Sequence, residues 1–314
     1  MNDYKISIIS PVYGAATLLH EFVERIIATV TKLTSQYEII LVEDHSPDNS
    51  WEIIRELALA NSHITGVSLS RNFGQQNALN AGLDIATGDY IITMDCDLQD
   101  EPENIPSLIN KALEGYDIVF VSRKNRKDSL LKKVGSKWFY KLLGYLTDTK
   151  QDSSIANFVL YSRNAIDALN SLGDYYRYYP LLNQWIGFNT IKLPLEHAKR
   201  LDNKKSSYSI KKRVKLAFST IIAFSDKPLR IMLKAGIFIV LSVFVFAIVL
   251  VFKYLLTGNI VSGWLSVFLS LWLLSGLIIV MLGLVGLYVG KSFESVKNRP
   301  VYIIKEIVNI NLKS

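Results

Sequence analysis

Short apolar runs rich in β-branched residues recur through the first part of the chain, at Lys5–Ser10, Tyr37–Val42, Ile64–Ser70, Tyr90–Met94 and Asp117–Ser122. Each run is continuous rather than alternating, the pattern of a strand buried on both faces. Stretches with helical spacing separate them, at Leu18–Leu33, Trp51–Ala60, Gln75–Ala86 and Ile105–Leu113. Strand and helix in alternation predict an α/β domain whose mostly parallel sheet carries helices on both sides. Ligands of such sheets sit beyond the carboxyl ends of the strands, so the residues that follow each run are the first candidates for chemistry.

The pattern changes in the last third of the chain. Ala235–Phe252 and Tyr254–Gly290 hold no charged residue, and roughly 20 apolar residues suffice for one helix to cross a bilayer. The alternative is a pair of buried helices in a large soluble core. Lys211, Lys212, Arg213, Lys215, Lys227, Arg230 and Lys234 precede the first stretch, Lys291, Lys297, Arg299 and Lys305 follow the second, and only Lys253 lies between. That asymmetry predicts a multi-pass plasma-membrane protein with the soluble domain and both termini in the cytoplasm and the short 257–263 loop outside. Ile210–Phe224 mixes basic and apolar residues at helical spacing, as a helix lying along the inner leaflet would. The expected organisation is therefore a globular domain over 1–208, amphipathic juxtamembrane helices over 209–234, two spanning helices over 235–290 and a cytoplasmic tail over 291–314. Gly286 and Gly290 have the small-x-x-x-small spacing that permits close helix contact.

Composition narrows the partners. The chain has 314 residues and a formal net charge of +7. Beside two apolar stretches, that charge suits anionic lipid rather than nucleic acid. The single cysteine, Cys96, excludes an internal disulfide and is compatible with a reducing compartment. The opening MNDYKISIIS has too short an apolar run before Pro11 to match a cleaved signal peptide.

The chemistry gathers where the strands end. Pro11-Val12-Tyr13 follows the first, Glu43-Asp44-His45-Ser46 the second and Asp95-Cys96-Asp97 the fourth. A physical reason for acid at one edge is a divalent cation, Mg2+ or Mn2+, held by one or two carboxylates plus the phosphates of a substrate. In a D-x-D stretch that stays extended, Asp95 and Asp97 point to one side and Cys96 to the core. Plainer readings stand beside this one. Asp95 and Asp97 are also explicable as solvated loop acids, Asp100 as the cap of the helix after Pro102, Asp44 as the cap of the helix near Trp51, and Tyr13 as a packing residue.

Several motifs in order carry a family resemblance: Ser10-Pro11-Val12-Tyr13, Val42-Glu43-Asp44, Leu69-Ser70-Arg71-Asn72-Phe73-Gly74, Ala81-Gly82-Leu83 and Asp95-Cys96-Asp97-Leu98-Gln99-Asp100-Glu101-Pro102. They resemble the inverting GT-A glycosyltransferases, and more narrowly the polyprenyl-phosphate branch that includes dolichol-phosphate mannose synthase and the bactoprenol glucosyltransferases. Arg200, Ser206-Ser207-Tyr208, Phe224-Ser225, Pro228-Leu229-Arg230 and Asn298-Arg299-Pro300-Val301-Tyr302 extend the likeness through both apolar stretches. The resemblance implies a nucleotide diphosphate sugar, UDP-sugar favoured, with its base near Pro11, Tyr13 and Asp44. It implies a metal held around Asp95 and Asp97 with Gln99 close by, a polyprenyl phosphate acceptor, and a homo-oligomer, with a tetramer as the expectation.

The acceptor side rests on one departure. In the branch that the chain resembles, an Asp often precedes the Phe of the strand after the basic loop, and here Asn157 precedes Phe158. An amide takes no proton. A lipid phosphate, with a second pKa near ~6, is already anionic at neutral pH and needs positioning more than deprotonation. Arg123 and Arg126 stand at the same edge as the acids and suit phosphate contact. Lys132, Lys133, Lys137 and Lys141 interleave with Leu130, Trp138 and Phe139, as on a surface that meets headgroups. Arg200 and Tyr208 bracket a polar segment that either closes over substrate or is a plain linker. Gly14-Ala15-Ala16 replaces the Asn and acids usual in the family, and Glu43 and His45 replace the usual Asp and Gly, which leaves sugar and nucleotide open. The leading expectation is transfer of one hexose to undecaprenyl phosphate with inversion. Transfer to a hydroxyl of a lipid-linked glycan, with Asp152 as base, and a non-catalytic scaffold that binds nucleotide sugar are the alternatives.

Overall fold

The computed structural model describes residues 3–123, 144–146, 155–195, 221–257 and 263–309. The chain divides into two compact units, one of residues 1–140, 151–207 and 299–314, the other of residues 141–150 and 208–298.

The first unit is built on an eight-stranded sheet in the order β7-β5-β6-β4-β1-β2-β3-β8. Its strands are β1 (Ile6–Val12), β2 (Tyr37–Glu43), β3 (Ile64–Leu69), β4 (Tyr90–Thr93), β5 (Ile118–Arg123), β6 (Ile155–Ser162), β7 (Thr190–Leu195) and β8 (Ile304–Val308). β2 and β3 are buried at every position, which is why they read as unbroken apolar runs. β6 runs antiparallel between β4 and β5, and β8 antiparallel beside β3. The helices are α1 (Leu19–Val30), α2 (Ser50–Ala60), α3 (Gln75–Ile85), α4 (Ile105–Leu113), α5 (Arg163–Ser171) and α6 (Tyr179–Trp185). Leu19, Phe22 and Ile26 of α1 and Leu108 and Ile109 of α4 join Ile6, Ile8, Ile39, Leu41 and Ile92 of the sheet in one buried core. Burying side chains of this size contributes about 1.5–3 kcal/mol each.

α3 comes unusually close to the sheet. A Cβ on Gly82 would lie 2.3 Å from Ile9 Cγ2 and 3.3 Å from Val42 Cγ2. Only glycine lets this helix rest on β1 and β2 so closely, and that contact fixes where its amino terminus ends up.

The second unit carries α7 (Lys227–Thr257) and α8 (Trp264–Val296). Residues 227–250 and 270–296 are long and apolar enough to cross a membrane, and none of either window is buried. Core helices of a soluble fold would be covered, so that alternative does not describe them. α7 starts at Lys227, inside the segment expected to be juxtamembrane, and α8 runs past Gly290 to Val296. Lys291 and Glu294 pair at 2.7 Å on that extra turn. The remainder of the basic segment, 209–220, lies outside the described residues.

Candidate active site

β1, β2 and β4 are parallel neighbours, so Tyr13, Asp44 and Asp95 emerge at one edge. β1 has β2 on one side and β4 on the other, which makes their ends the switch point where open α/β sheets hold ligands.

The ends of β1 and β2 are stitched together. The amides of Gly14, Ala15 and Ala16 donate to Ser46 Oγ at 3.2 Å, Ser50 Oγ at 3.3 Å and Asp48 Oδ2 at 3.1 Å. Asp48 Oδ1 also accepts from the Ser50 amide and hydroxyl at 3.2 and 2.6 Å. Asp48 therefore serves the start of α2, and the capping role considered for Asp44 is not what the structure shows. Asp44 instead accepts from the Phe73 amide at 2.6 Å and the Gly74 amide at 2.8 Å. Burial raises its pKa against the pull of those two amides. Tyr13 is 58% exposed, so it does not pack into the core. His45 adopts φ 54°, the left-handed conformation that the glycine usual at this place would take freely.

Asp95 is held from two sides. Gln75 Nε2 donates to its Oδ1 at 2.7 Å, and Asn157 Nδ2 donates to its Oδ2 at 2.9 Å. The second contact follows from register: Thr93 of β4 pairs with Val159 of β6, and two residues further Asn157 stands across from Asp95. Burial raises the Asp95 pKa to about 6; Asp97 and Asp100 push the same way, and the amides of Asn157 and Gln75 oppose them. Cys96 is 7% exposed, with its Sγ 3.6 Å from the Pro11 carbonyl and its thiol pushed up to about 12 by burial. It faces the core as expected, but by a different route. Cys96 and Asp97 form a turn rather than an extended stretch, Leu98 has φ 57°, and Asp97 Oδ1 accepts from the Gln99 amide at 3.2 Å. The helical turn at Pro102–Asn104 has Glu101, not Asp100, at its cap position.

Among the described residues no three His, Cys, Asp or Glu side chains gather as a metal cage. Two carboxylates at a strand end, half-open to solvent, match a hard cation that takes its other oxygens from a substrate. Asp95 and Asp97, with Gln99 beside them, fit that demand. Arg123 ends β5, which runs parallel to β4, and so reaches the same edge by its backbone. Arg126, Asp152, Arg200, Tyr208 and Lys132–Lys141 lie outside the described residues.

Gln75, the edge strands β7 and β8 and the helices α5 and α6 escaped the sequence reading. Gln75 follows the Leu69–Gly74 motif by one residue, and its place at the start of a helix on the carboxyl edge was the available signal. The strand Ile304–Val308 hides in a stretch with Lys305 and Glu306, whose apolar period is weak.

A mostly parallel sheet of this order, with paired carboxylates at its switch point, defines a glycosyltransferase of the GT-A type. The chain belongs to glycosyl transferase family 2, whose family model matches residues 7–171. It is 34% identical over 308 residues to YkcC of Bacillus subtilis, an uncharacterized glycosyltransferase, covering 98% of this chain and 95% of that one. It is 34% identical over 309 residues to the undecaprenyl-phosphate 4-deoxy-4-formamido-L-arabinose transferase of Proteus mirabilis, covering 98% and 94%. The Klebsiella pneumoniae transferase of the same name is 35% identical over 307 residues, covering 97% and 94%.

Proposed function

We propose that the protein transfers a single sugar from a nucleotide diphosphate sugar to a polyprenyl phosphate, undecaprenyl phosphate in the leading case, with inversion and with Mg2+ or Mn2+. The observation that carries the reading is the place of Asn157. At the position where the resembled branch often carries an Asp, this chain has a carboxamide, and it donates to Asp95. A phosphate acceptor needs no deprotonation. The names of the Proteus and Klebsiella relatives support the same acceptor.

Each residue then has a task. Tyr13 and Pro11 offer a surface to the base, and Asp44 a carboxylate to base or ribose. Asp95 and Asp97, with Gln99, hold the cation, which when bound neutralises the departing diphosphate. Arg123, and in the sequence Arg126 and Arg200, supply positive charge for the acceptor phosphate. Attack from the face opposite the leaving group inverts the anomeric centre. The two apolar helices would hold the chain in the lipid phase that carries an isoprenoid acceptor. Strand β8 lies in the same sheet as the strands that precede α7, so two crossings return the chain to the side it left. Together with the basic flanks this supports a cytoplasmic catalytic domain and cytoplasmic termini.

The test supplies purified protein with undecaprenyl phosphate, a panel of labelled nucleotide sugars and Mg2+ or Mn2+, and follows label into the lipid phase. Label in phosphate-bearing lipid, lost on chelation, is the expected result. Label that requires a glycan acceptor overturns it in favour of hydroxyl transfer, and binding without turnover overturns it in favour of a scaffold.

A further inference from the structure

The ends of β2 and β4 are not neighbours, because β1 lies between them. They are nevertheless joined by a continuous bridge of bonds. Asp44, at the end of β2, holds the amides of Phe73 and Gly74. The next residue, Gln75, opens α3 and donates to Asp95 at the end of β4. Every part of this bridge is constrained. Gly74 has φ 91°, open to glycine and strained for other residues. Asn72 Nδ2 donates to the Asp44 carbonyl at 3.1 Å, and Asn77 Nδ2 to the Phe73 carbonyl at 2.9 Å. The body of α3 is seated on β1 and β2 at Gly82. Gln75 thus has little freedom except in its own side chain, and that side chain is spent on Asp95.

A carboxylate has about four lone-pair positions. Gln75 takes one on Oδ1 and Asn157 takes one on Oδ2, which leaves both oxygens with capacity for a cation and fixes the plane of the group. Hydrogen-bonded partners of metal-ligating carboxylates orient the ligand, and losing one typically weakens metal binding by roughly 10- to 100-fold.

Resting on the metal reading of Asp95 proposed above, we infer that Gln75 is a positioning residue that aims Asp95 at the cation. Asp44 in turn sets Gln75 through the Phe73–Gly74 backbone. The nucleoside and cation subsites are therefore coupled by a bridge that passes over the end of β1. A group that binds Asp44 acts on the same segment that orients Asp95, so binding at one subsite changes binding at the other by the same factor.

Mn2+ binding tests this without turnover. Mn2+ is titrated into the full-length protein in detergent micelles, without nucleotide and again with UDP, and the free ion is read by electron paramagnetic resonance. Gln75→Met, which keeps length and loses the donor, is expected to weaken Mn2+ binding by about 10- to 100-fold with the melting temperature unchanged. Asp44→Asn, which removes one acceptor from the bridge, is expected to weaken Mn2+ binding in the otherwise unmodified protein. In the Gln75→Met background the same change is expected to have less than about a two-fold effect, since the route is already cut. Mn2+ affinity of Gln75→Met within about two-fold of the unmodified protein, or an Asp44→Asn effect that persists undiminished in that background, overturns the inference while leaving the metal site standing. Failure of the unmodified protein to bind Mn2+ in either condition instead overturns the metal reading itself.

Discussion

At the amino-terminal end of the sheet, Glu38 is buried among Ser7, Thr87 and Lys5, and at the carboxyl end Asp95 sits among Gln75, Asn157, Asp97 and Asp100. Glu38 accepts from the Ser7 hydroxyl at 2.6 Å and the Thr87 amide at 2.7 Å, and pairs with Lys5 Nζ at 2.9 Å. Burial works to raise its pKa and is outweighed by Ser7, Thr87 and Lys5, so the value falls below the usual one. Asp95 receives two neutral amides and faces two like charges, so burial wins and its pKa rises to about 6. The company differs as well as the burial: Glu38 has a cation beside it, and Asp95 has acids. A carboxylate given a cation of its own secures the fold, and one left among acids is short of positive charge that a ligand can bring.

The largest expected effect breaks the carboxyl end. Asp95→Asn and Asp97→Asn should each lower transfer of label into lipid by about 100- to 1,000-fold, the scale of losing one preorganised electrostatic contact. Asp95→Asn should melt at or above the temperature of the unmodified protein, because it removes a charge that the fold holds at a loss. Glu38→Gln is the mirror experiment. It removes the carboxylate that Lys5 pairs with and should reduce stability by about 2–3 kcal/mol, while activity per folded molecule is unchanged. Chemical denaturation beside the transfer assay separates the two outcomes, and a Glu38→Gln protein that is stable but inactive would dissolve the contrast.

Acidity sharpens it next, since the two groups carry opposite signs. With its folded pKa below the unfolded value of about 4.3, Glu38 gives stability that is complete above that value and lost as pH falls through the folded one. Asp95, at about 6 in the fold and about 3.9 unfolded, binds its proton more tightly when folded. Stability therefore declines as pH rises from about 4 to 6 and the deficit is complete above. Melting temperature against pH should lose part of its acid limb in Glu38→Gln and its decline between about 4 and 6 in Asp95→Asn.

Gly82→Ala reaches the same edge from behind. The added Cβ meets Ile9 at 2.3 Å, so α3 must lift, at about 1–3 kcal/mol for overpacking. Its amino terminus carries Gln75, and transfer should fall further than the loss of folded protein accounts for.

How much of this was legible follows from the range over which each signal acts. The parallel strands were readable because both of their faces are buried, and the boundaries of α4 at Ile105–Leu113 came out residue for residue. The edge strands were not. β7 alternates half-buried and exposed positions and β8 is a short charged segment after α8, so neither stands out from its surroundings and only pairing with β5 or β3 makes it a strand. At the site, the acids were visible as types in a pattern. Their partners were not, because Gln75 and Asp95 meet only once Gly82 has let α3 down onto the sheet. The same limit hid the partners of Asp44, whose carboxylate holds the Phe73 and Gly74 amides rather than the start of α2.

The smallest effect concerns the chain beyond α8. Tyr302 donates its hydroxyl to Asp84 Oδ2 at 2.6 Å, and the Ile303 carbonyl accepts from the Ser70 amide at 2.9 Å. Asp84 lies near the carboxyl end of α3 and Ser70 just after β3, so this returning segment touches the helix near its carboxyl end and the chain that leads into it. Tyr302→Phe removes one partly exposed hydrogen bond, worth about 0.5–1.5 kcal/mol, and leaves the backbone contact and the β3–β8 pairing intact. Asp84 keeps Arg177 at 4.0 Å, which limits the loss further. Stability by denaturant should therefore fall by about 1 kcal/mol or less, with Mn2+ affinity unchanged, because the amino terminus of α3 is held independently by Asp44 and Asn77. A fall in Mn2+ affinity in Tyr302→Phe comparable to that of Gln75→Met would mean that α3 moves as a rigid lever, and that the two ends of the sheet are less separate than Glu38 and Asp95 make them.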